Sequence, residues 1–99
     1  MMDQQPHPRR PRFSLGQVVA TPGALAAADA ANDVLMRYVA RHVLGEWGDL
    51  DATDKRANER ALKHGARLLS AYHLRDGTKI WIWTEADRAS TCIMLPEEY

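Results

Sequence analysis

The chain has 99 residues, 45% of them hydrophobic and 26% charged, with Lys plus Arg equal to Asp plus Glu at 13 each. That length is one domain near the lower limit for a core without metal or disulfide staples, and the composition excludes a fibrous repeat or a chain disordered throughout. Balanced charge gives no whole-chain field suited to attracting or imitating nucleic acid.

Charge is nevertheless unevenly placed. Residues 1–12 carry Arg9, Arg10 and Arg12 against Asp3, among Pro6, Pro8 and Pro11. They read as a disordered basic tail before a single domain over 13–99, where ten basic residues face twelve acidic ones. The three arginines are candidates for weak nucleic-acid contact, although a solvated leader explains them as well. Cys92 is alone, which excludes an intramolecular disulfide, and its apolar surroundings suit an inert thiol. Neither a membrane-length apolar run nor a signal-peptide pattern is present, so the cytoplasm is the default location.

Residues 13–20 supply a candidate fourth strand or an extended lead-in. Thr21-Pro22 then predicts a helix start, with proline where its missing N–H costs nothing, and an Ala-rich helix to about Ala31. Val34, Leu35, Tyr38, Val39, His42 and Val43 line one face of a second helix, with Asn32 as its cap and Gly45 as its stop. Trp47 follows in a turn and suits a plug between helices. Asp51 and Asp54 stand at capping-box spacing before a third helix that ends at Gly65, with a thin apolar stripe of Leu50, Ala57, Ala61 and Leu62.

After Arg67 the apolar period changes from helical to two. Asp76-Gly77 predicts a two-residue hairpin turn, which pairs Tyr72 with Trp81 and Ser70 with Trp83. A similar turn at Asp87-Arg88 pairs Ile82 with Ile93 and Trp83 with Cys92. The expected fold is therefore α+β: three N-terminal helices followed by a three-stranded antiparallel β-meander. In this register Leu69, Ala71, Ile80, Ile82, Ile93 and Leu95 share one face; Leu68, Tyr72, Leu74, Trp81, Trp83 and Met94 share the other. The helices suffice to cover the isoleucine face. Tyr72, Trp81, Trp83 and Met94 then become candidate protein-binding residues.

Metal and cofactor sites are not expected. The four histidines and single cysteine never reach ligand spacing, no glycine-rich phosphate loop occurs, and the acidic run Glu46, Asp49, Asp51, Asp54 lacks the glycine and final glutamate of a calcium loop. A helix-then-sheet outline with His, Lys, Arg and Thr also suits small ribonuclease toxins of the barnase and RelE type. There His42 or His73 would be acid or base, Lys79, Arg67 or Arg88 would stabilise the phosphorane, and Thr84 or Thr91 would position the phosphate. A packed or helix-capping role is the simpler account of His42.

Four stretches carry a family likeness: FSLGQVVATPGAL (13–25), RHVLGEWGDLDATD (41–54), RLLSAYHL (67–74) and DGTKIWIWTEADRASTCIMLPEEY (76–99). Together they resemble a family of small bacterial proteins carried on plasmids, integrative elements and phage-like islands, often labelled plasmid-related proteins or type I restriction subunit M. The segment 26–34 is richer in alanine than that pattern. A chain this short cannot hold both S-adenosylmethionine and DNA, so a methyltransferase is not expected. The resemblance implies a mobile-element protein and no catalytic residue. Joined to small size, balanced charge and a two-faced sheet, it leads to three expectations. The first is a non-enzymatic protein that binds a host or element-encoded protein, as an inhibitor of a defence system of the anti-CRISPR or antirestriction type. The second is a small endoribonuclease using His42, Lys79 and Thr91. The third is a homodimeric regulatory module that buries its aromatic face against a second copy.

Overall fold

The computed structural model describes residues 10–99 and has the expected α+β class. The elements in chain order are β1 (Gln17–Ala20), α1 (Pro22–Ala30), α2 (Leu35–Val43), α3 (Ala52–His64), β2 (Leu68–His73), β3 (Lys79–Thr84), β4 (Ser90–Met94) and a closing 3₁₀ turn, Pro96–Glu98. The basic tail is expected over residues of which only 10–12 are described. Arg12 is not part of a free tail: its N–H bonds the Val43 carbonyl at 2.8 Å and its guanidinium grips Glu59.

Local chemistry sets the helix ends. Thr21 Oγ1 accepts the Ala24 N–H at 3.0 Å, Asp51 Oδ1 accepts the Asp54 N–H at 2.8 Å, and α3 stops at left-handed Gly65. The second helix starts differently from expectation. Asn32 occupies a left-handed turn with φ 52°, and Asp33 Oδ1 accepts the Val34 N–H at 2.8 Å just before α2. A short amide side chain tolerates the left-handed region, so Asn32 ends the first helix rather than starting the second.

The sheet has four strands in the order β1-β4-β3-β2, which corrects the three-stranded, purely antiparallel expectation. Strand β1 lies within the segment expected to supply a fourth strand and pairs in parallel with β4, Val18 opposite Thr91 and Ala20 opposite Ile93. Parallel neighbours need a long connection, and here the three helices, β2 and β3 provide it.

The first hairpin also differs by one residue. A two-residue type I′ turn needs positive φ at both central positions, but only Gly77 adopts it, with φ 90°. Gly77 N–H bonds the Leu74 carbonyl at 2.9 Å, and Leu74 N–H bonds the Thr78 carbonyl at 2.8 Å, closing a three-residue loop over 75–77. Tyr72 therefore opposes Ile80, Ala71 opposes Trp81 and Leu69 opposes Trp83. Because side chains alternate, that single step moves Tyr72 from the tryptophan face to the isoleucine face. The second turn is longer than expected as well, yet it grows by one residue on each side and keeps the pairs Ile82–Ile93 and Trp83–Cys92.

The inner sheet face carries Tyr72, Ile80, Ile82 and Ile93, all nearly inaccessible, against Ala24 and Ala28 of α1 and Leu35, Tyr38 and Val39 of α2. Trp47, Ala61 and Leu68 form a second, smaller cluster with Phe13, Leu50 and Leu62. Trp47 thus plugs the corner between α2 and α3. Asp33, whose side chain is wholly covered, ties the helices to the first hairpin: Oδ2 accepts the Tyr38 hydroxyl at 2.7 Å and the Arg75 N–H at 2.9 Å. Arg88 ties the second hairpin to the end of α3, donating to the carbonyls of Glu85, Ala66 and Ala61.

The outer edge of β2 is closed. Ala71 N–H bonds the Trp47 carbonyl at 3.1 Å, and Asp49 N–H bonds the Ala71 carbonyl at 2.7 Å. Gly48 makes this approach possible: its φ is +79°, and a Cβ there would collide with the Ala71 carbonyl oxygen. Two residues earlier the buried Asn58 side chain does the same work, accepting the Leu69 N–H at 3.1 Å and donating to the Leu69 carbonyl at 2.6 Å. Asn58→Ala leaves both backbone groups unsatisfied under α3 and is expected to lower unfolding free energy by about 2–3 kcal/mol in urea titration. A loss under about 0.5 kcal/mol would show that α3 does not close this edge.

Candidate functional site

Two constellations stand out, one inside the sheet and one outside it. On the inside, His42 has no exposed surface; its Nδ1 lies 2.5 Å from Ser70 Oγ and its Nε2 2.9 Å from Thr84 Oγ1. Thr84 Oγ1 is 2.7 Å from Thr91 Oγ1, and Thr91 Oγ1 donates to the Leu15 carbonyl at 2.8 Å. The proton positions follow from the last contact. A carbonyl only accepts, so Thr91 donates to it and receives from Thr84; Thr84 then receives from His42 Nε2–H, and Ser70 donates to Nδ1. His42 is neutral with its proton on Nε2, and each of its nitrogens has one partner. Burial pushes its pKa down to about 4. Phe13 and Trp47 seal the ring, with centroids 5.1 and 5.9 Å away.

The residues of the ribonuclease expectation are therefore only partly together. His42, Thr84 and Thr91 join in one chain of hydrogen bonds, but all are inaccessible to a phosphate. Lys79 stands exposed at the start of β3, beside the His73 end of the hairpin. His73 Nδ1 meets Asp49 Oδ2 at 2.7 Å, and the Arg88 guanidinium is engaged by backbone carbonyls. The spacing of His42 on the apolar helix face was legible in the sequence; its partners lie on two strands whose faces depend on register.

On the outside, one row crosses all four strands through Val19, Cys92, Trp83 and Leu69, and the next carries Met94, Trp81 and Ala71. Trp81, Trp83 and Met94 of the expected binding set are on this face, and all three are half-buried. Tyr72 is not. It is 1% exposed on the inner face, its hydroxyl donates to the Glu46 carbonyl, and burial raises its pKa to about 12. Its displacement follows from the three-residue hairpin loop.

Tyr99 and Arg67, absent from the expected set, complete the outer group. The Tyr99 ring stacks on Trp83 at 5.4 Å and meets Trp81 edge-on at 5.7 Å, while the Arg67 guanidinium lies 4.1 Å from the Trp83 ring centre. Tyr99 is itself 70% exposed. Trp83 Nε1 is buried with no hydrogen-bond acceptor among the described residues. Cys92 sits beside Trp83, partly covered, and burial raises its thiol pKa. Of the arginines expected to touch nucleic acid, Arg9 lies outside the described residues and Arg10 is exposed. Arg12 is held by Glu59 in two bonds of 2.8 Å. Trp47 Nε1 adds a third donor at 3.0 Å, and with Arg12 as the main cause holds Glu59 at about 2.

Among the described residues, no group of His, Cys, Asp and Glu is placed to hold a metal ion, and no helix is long and apolar enough to cross a membrane. Comparison with protein families, with curated proteins and with solved structures returns no match.

His42 makes stability depend on pH in a defined window. Its folded pKa of about 4 lies below its ordinary 6.5, so the unfolded chain takes up a proton that the folded chain refuses between those values. The His42 contribution is complete above pH 6.5 and is lost as pH falls toward 4, by about 3 kcal/mol in total. Glu59 and Asp33, both held at about 2, lose their contributions only at lower pH, below their ordinary 4.5 and 3.8. Urea titration from pH 7 to pH 4.5 should show this decline in the native chain and little of it in His42→Gln. Equal slopes in both would mean that His42 is charged or exposed in the folded state.

Proposed function

We propose that this chain is a non-enzymatic binding protein of a mobile genetic element, which acts by docking the outer face of its sheet on another protein. A component of a host defence system is the class of target that fits the mobile-element resemblance. The observation that carries the reading is the pair Trp81 and Trp83, which stand on the face away from all three helices under a light cover of Tyr99 and Arg67. Large aromatics and arginine are the side chains that most often dominate protein interfaces.

The same face holds an unsatisfied donor. A buried indole N–H without an acceptor among the described residues costs about 1–3 kcal/mol, and a partner's carbonyl or carboxylate that reached Trp83 Nε1 would remove that cost. The inner face has no such vacancy in its hydrogen bonding: every polar atom of the His42 chain is paired. The ribonuclease reading lacks an accessible acid or base at His42, while a homodimer would use the same outer face as the preferred reading.

Affinity capture from host lysate, with light scattering on the free protein, tests the proposal. The native chain should retain one partner in stoichiometric amount, and Trp83→Ala and Trp81→Ala should each weaken retention by about tenfold or more while the far-ultraviolet spectrum stays native. Retention unchanged in both variants, or no stoichiometric partner at all, contradicts it. A doubled mass of the free chain that returns to monomer in Trp83→Ala would assign the face to self-association instead.

A further inference from the structure

Helix α3 carries a line of exposed cations, and Arg67, just past the end of the helix, reaches Trp83 of the aromatic face. Arg56, Arg60 and Lys63 recur at steps of four and three, which places them on one stripe of the helix. Asn58 and Ala61 form its buried side, so the stripe points away from the body. Arg60 and Lys63 have no carboxylate or other hydrogen-bond partner among the described residues. His64 is likewise exposed, one step around the helix. Glu59, the nearest acid on the helix, is already engaged by Arg12 and Trp47. Arg60 lines two shallow grooves, one of about 370 Å³ with Lys63 and one of about 360 Å³ with His64 and Arg67. The second groove ends at Arg67, whose guanidinium covers Trp83.

The exposed side chains along this line are mostly donors: Arg56, Arg60, Lys63, His64 and Arg67, the last of them lying over Trp83. Among the described residues, Glu85, 3.5 Å from Arg67, is the one carboxylate ion-paired with these cations. The C-terminal end of a helix dipole accommodates Lys63 and His64, but it does not extend to Arg56 in the first half of α3 or to Arg67 beyond its end. Interfaces commonly surround an aromatic centre with a charged rim, and complementary charge there sets specificity and the rate of encounter.

From this continuity we infer that the partner proposed above is an acidic protein surface: an apolar patch that covers Trp81 and Trp83, bordered on the α3 side by Asp or Glu side chains that meet Arg56, Arg60, Lys63 and Arg67. The inference rests on the protein-binding reading and adds the chemistry of the partner. A nucleic-acid strand is the less suitable occupant. Glu85 beside Arg67 puts a carboxylate next to the ring on which a base would have to stack, and the domain over 13–99 is slightly acidic overall.

The test uses four probes against the native chain, followed by amide and indole NMR resonances. They are a synthetic peptide alternating Glu with Leu, the same peptide with Ser for Glu, the same with Lys for Glu, and an oligothymidylate of matching charge. The acidic peptide should shift the Trp81 and Trp83 indole signals and the α3 amides, more weakly as salt rises. Arg60→Glu combined with Lys63→Glu, both fully on the surface, should weaken it about tenfold or more without disturbing other resonances. Tighter binding of the oligothymidylate, equal binding of the Lys peptide, no effect of charge reversal, or no binding of the acidic peptide each overturns the inference. Equal binding of the Ser and Glu peptides at the tryptophans would overturn it while leaving the protein-binding reading intact.

Discussion

The register of the first hairpin governs both faces of this sheet. Because the loop holds three residues rather than two, Ser70 and Tyr72 share a face with Ile80 and Ile82, and the tryptophans share theirs with Ala71 and Leu69. The inner arrangement depends on that step. Ser70 reaches His42 from β2 while Thr84 reaches it from β3, and a shift by one residue would leave Nδ1 without its donor. Covering the second edge also depends on it, since Leu69 and Ala71 turn their backbone groups outward to Asn58 and to the 47–49 segment.

On the proposed reading, the two constellations divide the work between stability and recognition. Inside, a neutral histidine, three hydroxyls and one carbonyl satisfy each other in one direction only, so the network favours a single arrangement of α2, β2, β3 and β4. Outside, the aromatics are covered by Tyr99 and Arg67, and one indole N–H is left without an acceptor among the described residues. Asp33 and Arg88 secure the two hairpins to the helical side. This leaves the outer face rigidly presented by a sheet whose other surface is fully committed.

Much of the architecture was legible in the sequence. Thr21-Pro22, Asp51 with Asp54, Gly65 and the step of Tyr38, Val39 and His42 identify helices because caps and periodicity are local signals. The pairing of β3 with β4 was legible because a loop lengthened on both sides keeps its centre. What was hidden depends on backbone angles or on distant partners. Asp-Gly is compatible with both a two-residue turn and a three-residue turn ending in left-handed glycine, and composition does not choose between them. The parallel position of β1 is set by the return of the chain across the whole domain. Asn58 did leave a trace, as a polar residue beside Ala57 and Ala61 in a thin apolar stripe, where a buried amide needs backbone partners.

The residues proposed for recognition were legible by type more than by place. Trp81, Trp83 and Met94 follow from alternation along two strands; Tyr72 does not, because its face is inherited through the turn. Tyr99 and Arg67 lie outside the alternating runs and join the tryptophans only in three dimensions. The most direct measurement is therefore of the register itself, by nuclear Overhauser contacts between Hα protons across β2 and β3. Ala71 and Leu69 turn their hydrogen-bonding groups away from β3, so each should show a close Hα contact, Ala71 with Trp81 and Leu69 with Trp83. Contacts of Tyr72 with Trp81 and of Ser70 with Trp83 would contradict it, and would return Tyr72 to the tryptophan face.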